Sequence, residues 1–244
     1  MRVGGKRHVQ IAELMEAIIL AGGFGTRLRQ MVPDLPKPMA PIAGRPFLEI
    51  LLSTLAHKGF HRVILSLGYM AEKVVDYFGD RYSGMELVYE IETSPLGTGG
   101  AVRQALAHCH ADHVYVMNGD TYLDAEVSEL DAQWQAQHTP IIVARFVPDT
   151  TRYGRLDTAN GRVLGFCEKG TGGSGLINAG CYVFPTSILE HFPRGQAFSL
   201  ETGFLATAVT RERFDLFVTQ GRFIDIGVPE DFARAQTELA DVCS

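Results

Sequence analysis

An α/β fold built on a mainly parallel sheet with helices on both faces is predicted by three observations in the 244-residue sequence. Short β-branched runs alternate with stretches of helical spacing through the first half. A glycine cluster follows the first of those runs directly, and no apolar run approaches the ~20 residues that a membrane helix needs. Strands are predicted at 16–20, 62–67, 87–91, 114–117 and 141–147, with helices at 47–57, 71–78, 100–108 and 127–138 between them. After residue 147 the strands shorten to 154–157, 162–167 and 180–184. A glycine-rich stretch follows at 170–175, and helices are expected near 200–210 and 229–240. No Pro/Ser-rich or charged linker separates the halves, so the second part reads as an α+β elaboration covering the sheet. Residues 1–14 read as an N-terminal extension that the fold does not need, because Gln10, Glu13 and Glu16 interrupt what could otherwise pass for a signal segment.

Lys and Arg number 22 against 28 Asp and Glu, a net charge of −6, and the isoelectric point is near 5.7. That balance argues against a chain held on nucleic acid or anionic lipid by its overall field, but allows a phosphorylated ligand where basic residues converge. Cys109, Cys167, Cys181 and Cys243 form no CxxC pair and lack the density of a secreted scaffold, which fits reduced thiols in a cytoplasm.

Ligands of parallel α/β sheets sit at the carboxyl ends of strands, which directs attention to the residues after Leu20, Ile91 and Met117. Leu20, Ala21, Gly22, Gly23, Gly25, Thr26 and Arg27 form a turn whose glycines let backbone N–H groups approach phosphate oxygens, while Arg27 adds a planar fork of donors. The spacing is neither GxGxxG nor a P-loop, and no Asp or Glu closes the second strand, which tells against a nicotinamide oxidoreductase. Glycines alone would equally make a tight turn. Ten residues beyond Arg27, Pro36 and Pro38 stiffen the backbone around Lys37, whose ammonium suits a pyrophosphate leaving group. His108, His110 and His113 straddle a helix end and a strand, which scatters their directions and argues against a transition-metal site.

The run GGFGTRL followed by PKPMAPIAGRP resembles the sugar-phosphate nucleotidyltransferase family, enzymes that join a nucleoside triphosphate to a sugar 1-phosphate and release pyrophosphate. The resemblance extends from Glu16 to about Phe232 and implies a Rossmann-like three-layer sandwich of the GT-A-like kind with a mixed, mostly parallel sheet. Residues 15–147 would form its nucleotide-binding half and 148–244 its sugar-phosphate-binding half, in one domain. Glu92 with Gly97 and Thr98 of PLGTGGA is similar to the family's base-binding segment. A carboxylate only accepts, so Glu92 suits the adjacent N1–H and N2–H₂ donors of guanine, whereas uracil or thymine offers a single N3–H. Asn118, Gly119 and Asp120 follow a strand, and Asp120 pairs in the family pattern with Asp225 of FIDIG as a Mg²⁺ site. By the same resemblance Gly154, Glu168, Lys169 and Asn178 would meet the sugar phosphate, with 170–175 as a mobile lid. Arg27, Lys37, Asp120 and Asp225 carry the expected catalysis, and the presence of all four speaks against a silent sugar-nucleotide sensor.

Within the family the pattern is most similar to D-glycero-α-D-manno-heptose 1-phosphate guanylyltransferases, which implies GTP and that heptose phosphate as substrates. Enzymes acting on mannose, glucose or N-acetylmuramic acid 1-phosphates share much of the pattern. The chain ends soon after FIDIGVPEDF, so a monofunctional enzyme is expected, with homo-oligomers allowed by the resemblance.

Overall fold

The computed structural model describes residues 15–23, 34–167 and 172–242. In chain order the first half comprises β1 (Glu16–Ala21), β2 (Pro41–Ile42), β3 (Arg45–Pro46), α1 (Phe47–His57), β4 (Arg62–Leu67), α2 (Ala71–Phe78), β5 (Arg81–Tyr82), β6 (Met85–Ile91), α3 (Gly97–Ala105), β7 (His113–Asn118), β8 (Thr121–Leu123) and α4 (Val127–Gln137). There follow β9 (Ile141–Val147), β10 (Leu156–Ala159), β11 (Arg162–Phe166), β12 (Gly175–Pro185), α5 (Ala206–Arg211), β13 (Asp215–Thr219), β14 (Phe223–Asp225) and α6 (Pro229–Glu238).

Ten strands form one sheet in the order β10-β11-β13-β9-β12-β7-β1-β4-β6-β5. The β7-β1-β4-β6 block is parallel throughout. The central strands β1 and β4 bury both faces, which is why residues 17–21 and 63–65 read as apolar runs. Side-chain alternation sorts them into two cores: Ala17, Ile19 and Ala21 of β1 pack with Val63, Leu65 and Leu67 of β4 under α1, α2, α4 and α6. Ile18 and Ile64 turn the other way, to Val102 of α3 and Ala208 and Val209 of α5.

The second half joins this sheet edge to edge. β12 lies antiparallel between β7 and β9, and β13 runs parallel to β9. β13 was not anticipated. Its sequence opens with a charged residue, and Asp215 enters the interior because Arg213 Nε meets its Oδ1 at 2.7 Å. Boundaries also differ from expectation, among them those of α3, which spans Gly97–Ala105 and not 100–108. β10 starts at Leu156, since Arg155 makes only an isolated bridge to Ile177, and β12 begins as early as Gly175. The helix expected at 200–210 opens as a π turn over Glu201–Leu205.

The topology fixes where a ligand can sit. From β1 the chain moves to β4 on one side and later to β7 on the other, a switch point whose crevice opens at the carboxyl ends of the strands. Among the described residues no helix is long and apolar enough to cross a membrane.

Candidate active site

An open cleft of about 740 Å³ occupies that switch point. It is lined by Leu20, Ala21, Gly22 and Gly23 after β1, by Glu92, Gly97 and Thr98 around the start of α3, and by Asn118, Gly119 and Asp120 after β7. Lys37 and Asp225 complete one end. Every one of these residues was singled out in the sequence. Gly25, Thr26, Arg27, Glu168 and Lys169 lie outside the described residues, as does the extension 1–14.

The two strand ends meet through register. Leu20 of β1 stands opposite Asn118 of β7, and the Gly119 N–H donates to Leu20 O at 2.8 Å. The glycine turn and the Asn118-Gly119-Asp120 turn therefore emerge side by side. Asp225 arrives from a hundred residues away by a separate pairing, antiparallel β14 on β8, which sets it opposite Thr121. The Ile226 N–H then donates to Asp120 O at 2.9 Å, bringing the two carboxylates to the same corner.

Lys37 reaches this corner from a 3-10 turn, Lys37–Met39, whose flanking Pro36 and Pro38 are buried. Its Nζ lies 2.5 Å from Asp120 Oδ2, with the lysine side chain 14% exposed. Asp225 accepts from the Gly227 N–H at 2.7 Å. Burial, and then the negative charge of Asp120, push the Asp225 carboxyl above its ordinary pKa, against the pull of the Gly227 N–H and Lys37. Two hard carboxylates kept close at such a cost suit a divalent cation, which would relieve the repulsion and leave coordination positions for phosphate and water oxygens. Asp120 and Asp225 are the residues that could hold it. His108 and His113 are engaged elsewhere: His108 Nε2 pairs with Glu90 at 2.7 Å, and His113 meets Asp112 at 2.6 Å and stacks on Trp134.

At the other end Glu92 is half-buried, and the Leu96 N–H donates to its Oε2 at 3.0 Å. Burial raises its pKa; the bond from Leu96 opposes that rise. Space there is tight. A Cβ on Gly68 would stand 2.6 Å from Gly22 O, and one on Gly22 would stand 3.0 Å from Glu92 Oε1, so the floor of this end admits backbone only. Gly99 and Gly100, next along α3, pack against the Phe198 segment. The Gly99 N–H donates to Phe198 O at 2.9 Å, and a Cβ on Gly99 would overlap the Phe198 ring. From that run Pro95, Gly97, Thr98 and Ala101 line the cleft, whereas Gly99 and Gly100 do not.

On the sugar side, neither Gly154 nor Asn178 lines the cleft among the described residues. Asn178 Nδ2 donates to the Tyr182 hydroxyl at 2.6 Å, and its Oδ1 accepts from the Gly180 N–H at 3.1 Å. Gly154 follows Tyr153, whose ring packs edge-on against Phe223, two residues before Asp225. A lining residue missed in the sequence is Glu201, which accepts from Thr98 Oγ1 at 3.2 Å and from the Tyr182 hydroxyl at 3.4 Å. It thus ties the base end of the cleft to Asn178. A lone carboxylate in SLET carries no spacing signal that could have revealed it.

The Nucleotidyl transferase family model matches residues 16–242. The chain is 40% identical over 226 residues to the D-glycero-alpha-D-manno-heptose 1-phosphate guanylyltransferase of Aneurinibacillus thermoaerophilus, covering 92% of this chain and 98% of that one. It is 39% identical to the Campylobacter jejuni enzyme of the same name, over 89% and 97% of the two chains. The structure of HddC from Yersinia pseudotuberculosis complexed with GMP-PN superposes with a TM-score of 0.83 at 38% identity, over 93% of this chain and 100% of that one. Together with the paired carboxylates at the sheet's switch point, these matches place the chain in the nucleotidyl transferase family.

Proposed function

We propose that the protein transfers a guanylyl group from GTP to D-glycero-α-D-manno-heptose 1-phosphate, giving GDP-heptose and pyrophosphate. The observation that carries this reading is one continuous cleft with an acceptor-only carboxylate, Glu92, at one end and the Lys37, Asp120 and Asp225 cluster at the other. Relatives that match over nearly their whole length bear the heptose guanylyltransferase name and support the choice of sugar. The setting is the cytoplasm, where nucleoside triphosphates are available.

In the proposed reaction an anionic oxygen of the sugar 1-phosphate attacks the α-phosphorus in line. The new P–O bond forms as the bond from the α-phosphorus to the bridging oxygen breaks, and the electron pair leaves with pyrophosphate. The nucleophile is already ionised, so positioning and charge neutralisation supply the catalysis. Glu92 orients the base. Lys37 is assigned the charge on the leaving group, and Asp120 and Asp225 would hold Mg²⁺, which when bound supplies neutralisation and alignment of the phosphate oxygens. Arg27 and Lys169 are assigned the α,β-phosphates and the incoming phosphate. Glu168, Asn178 and Gly154 are assigned the sugar, Asn178 with its amide already fixed by Tyr182.

The test is pyrophosphate release with Mg²⁺ over a matrix of five nucleoside triphosphates against heptose, mannose, glucose and N-acetylmuramic acid 1-phosphates. Turnover confined to GTP and the heptose phosphate is expected; turnover with another pair would replace the substrates and keep the reaction. The role of Glu92 makes its own prediction. Glu92→Gln replaces one acceptor by an N–H₂ donor facing a donor on guanine, so kcat/KM for GTP should fall roughly 10- to 100-fold while UTP is disfavoured less. Because burial holds the Glu92 pKa up, the parent's KM for GTP should also rise as pH falls towards that value. A flat KM profile would remove Glu92 from base recognition.

A further inference from the structure

Ser66 is the second-to-last residue of β4, paired in register with Leu20 on one side and Glu90 on the other. Its side chain is wholly buried, yet its hydroxyl makes no hydrogen bond, and it belongs to the wall of the cleft beside Gly22, Gly68 and Glu92. A buried hydroxyl without a full hydrogen bond, in a strand that could as easily carry alanine, leaves about 1–3 kcal/mol of desolvation incompletely repaid. Such a group is explained when a partner turns towards it during function.

The carboxylate of Glu92 is the partner within reach. One of its oxygens, Oε2, is held by the Leu96 N–H, while Oε1 faces Gly22 in the narrow floor of the cleft. The presence of the Ser66 hydroxyl already draws the Glu92 pKa down against the desolvation that raises it. A carboxylate anchored at one oxygen still swings about that anchor. Pairing with two adjacent donors of a base requires both oxygens to be set in the plane of the base.

We propose that Ser66 is a positioning residue for base recognition: its hydroxyl, already beside the Glu92 carboxylate in the free protein, closes to a full hydrogen bond with Oε1 on nucleotide binding, fixing the carboxylate plane and keeping it ionised while the base excludes water. The inference deepens the guanylyl-transfer reading and rests on Glu92 meeting the base. Leu96 and Ser66 then form a two-point clamp from two different elements, the loop before α3 and the end of β4. The other titratable groups around Glu92 are Glu90 on the same strand, itself paired with His108, and Tyr69, which follows β4 in the cleft wall. Of these neighbours Ser66 is the one whose hydroxyl favours the ionised form of Glu92.

The test separates this inference from the reading beneath it. Ser66→Ala removes a hydroxyl that lacks a full hydrogen bond, so the variant should fold and melt close to the parent. In nucleotide-free protein labelled with [13C]glutamate, with the Glu92 resonance assigned through Glu92→Gln, the carboxyl titration midpoint should move upward in Ser66→Ala and stay near the parent value in Ser66→Thr, which keeps the hydroxyl. In steady-state assays Ser66→Ala should raise KM for GTP about tenfold, by more than it lowers kcat, and shift the pH dependence of KM upward. An unmoved Glu92 midpoint, or kcat falling with KM unaltered, overturns the role of Ser66. A parent that turns over no GTP overturns the guanylyl reading instead, and the titration still decides whether Ser66 governs Glu92.

Discussion

Asp225→Asn should abolish turnover and yet melt no lower than the parent at neutral pH when divalent metal is absent. The two halves of this expectation have one cause. Burial and the neighbouring Asp120 raise the pKa of the Asp225 carboxyl in the folded protein above its value in the unfolded chain. The folded state therefore binds that proton more tightly, and ionising the group costs stability. The cost appears as pH rises through the ordinary carboxylate range and is complete above the raised value. Asparagine carries no charge to desolvate, and its Oδ1 can still accept the Gly227 N–H that Asp225 accepts at 2.7 Å. Activity moves the other way, because losing one of two carboxylates that would hold Mg²⁺ forfeits several kcal/mol of charge stabilisation, about 10³-fold in kcat. Melting curves with and without Mg²⁺ give the matching readout: the cation should raise the parent's midpoint by mass action and leave that of the variant nearly unmoved. Asp120→Asn should be equally inactive with its circular dichroism spectrum retained. Unlike Asp225→Asn it should lose stability, since the largely buried Lys37 ammonium loses the negative charge that lies 2.5 Å from it. An Asp225→Asn enzyme retaining a tenth of parental turnover would remove the carboxylate pair from the mechanism.

This opposition between stability and chemistry bears on what could be read from the sequence. Elements defined by local pattern were legible to the residue: β4, β9, α1 and α2 have the bounds that their apolar periodicity predicts. Two-sided burial made the parallel block legible, as in the apolar runs 17–21 of β1 and 63–65 of β4. What escaped was decided by partners distant in the chain. β13 forms by parallel pairing with β9, Asp215 opposite Ile141, and the π turn at Glu201–Leu205 follows no periodic signal. The meeting of Asp120 with Asp225 needs β14 to pair with β8, a contact that no local spacing encodes and that only resemblance to a family suggested. The glycines of PLGTGGA show the converse, a motif whose position was legible while the reason for two of its residues was not, since Gly99 and Gly100 yield to the Phe198 segment and not to a ligand.

Gly180→Ala should damage the site from outside it, lowering both stability and kcat. Gly180 sits at the bulge where β12 shifts register against β9 between Asn178 and Cys181, with φ at +68°. An alanine there meets two separate penalties. The left-handed backbone costs a non-glycine residue about 1–2 kcal/mol, and the added Cβ would stand 2.3 Å from Asn118 Nδ2. Asn118 would have to leave the carboxyl end of β7, where it lines the cleft one residue before the turn that presents Asp120. The Gly180 N–H also donates to Asn178 Oδ1, so the same strain reaches the proposed sugar side. Gly195→Ala separates the penalties, because Gly195 has φ at +78° with nothing within 4 Å of its Cβ position. Both variants should lose about 2–8 °C of melting temperature through the backbone term. Gly180→Ala should lose more, and only it should lower kcat, by at least tenfold. Equal kcat values in the two variants would show that the Asn118 side chain is a bystander and that the bulge serves the sheet alone.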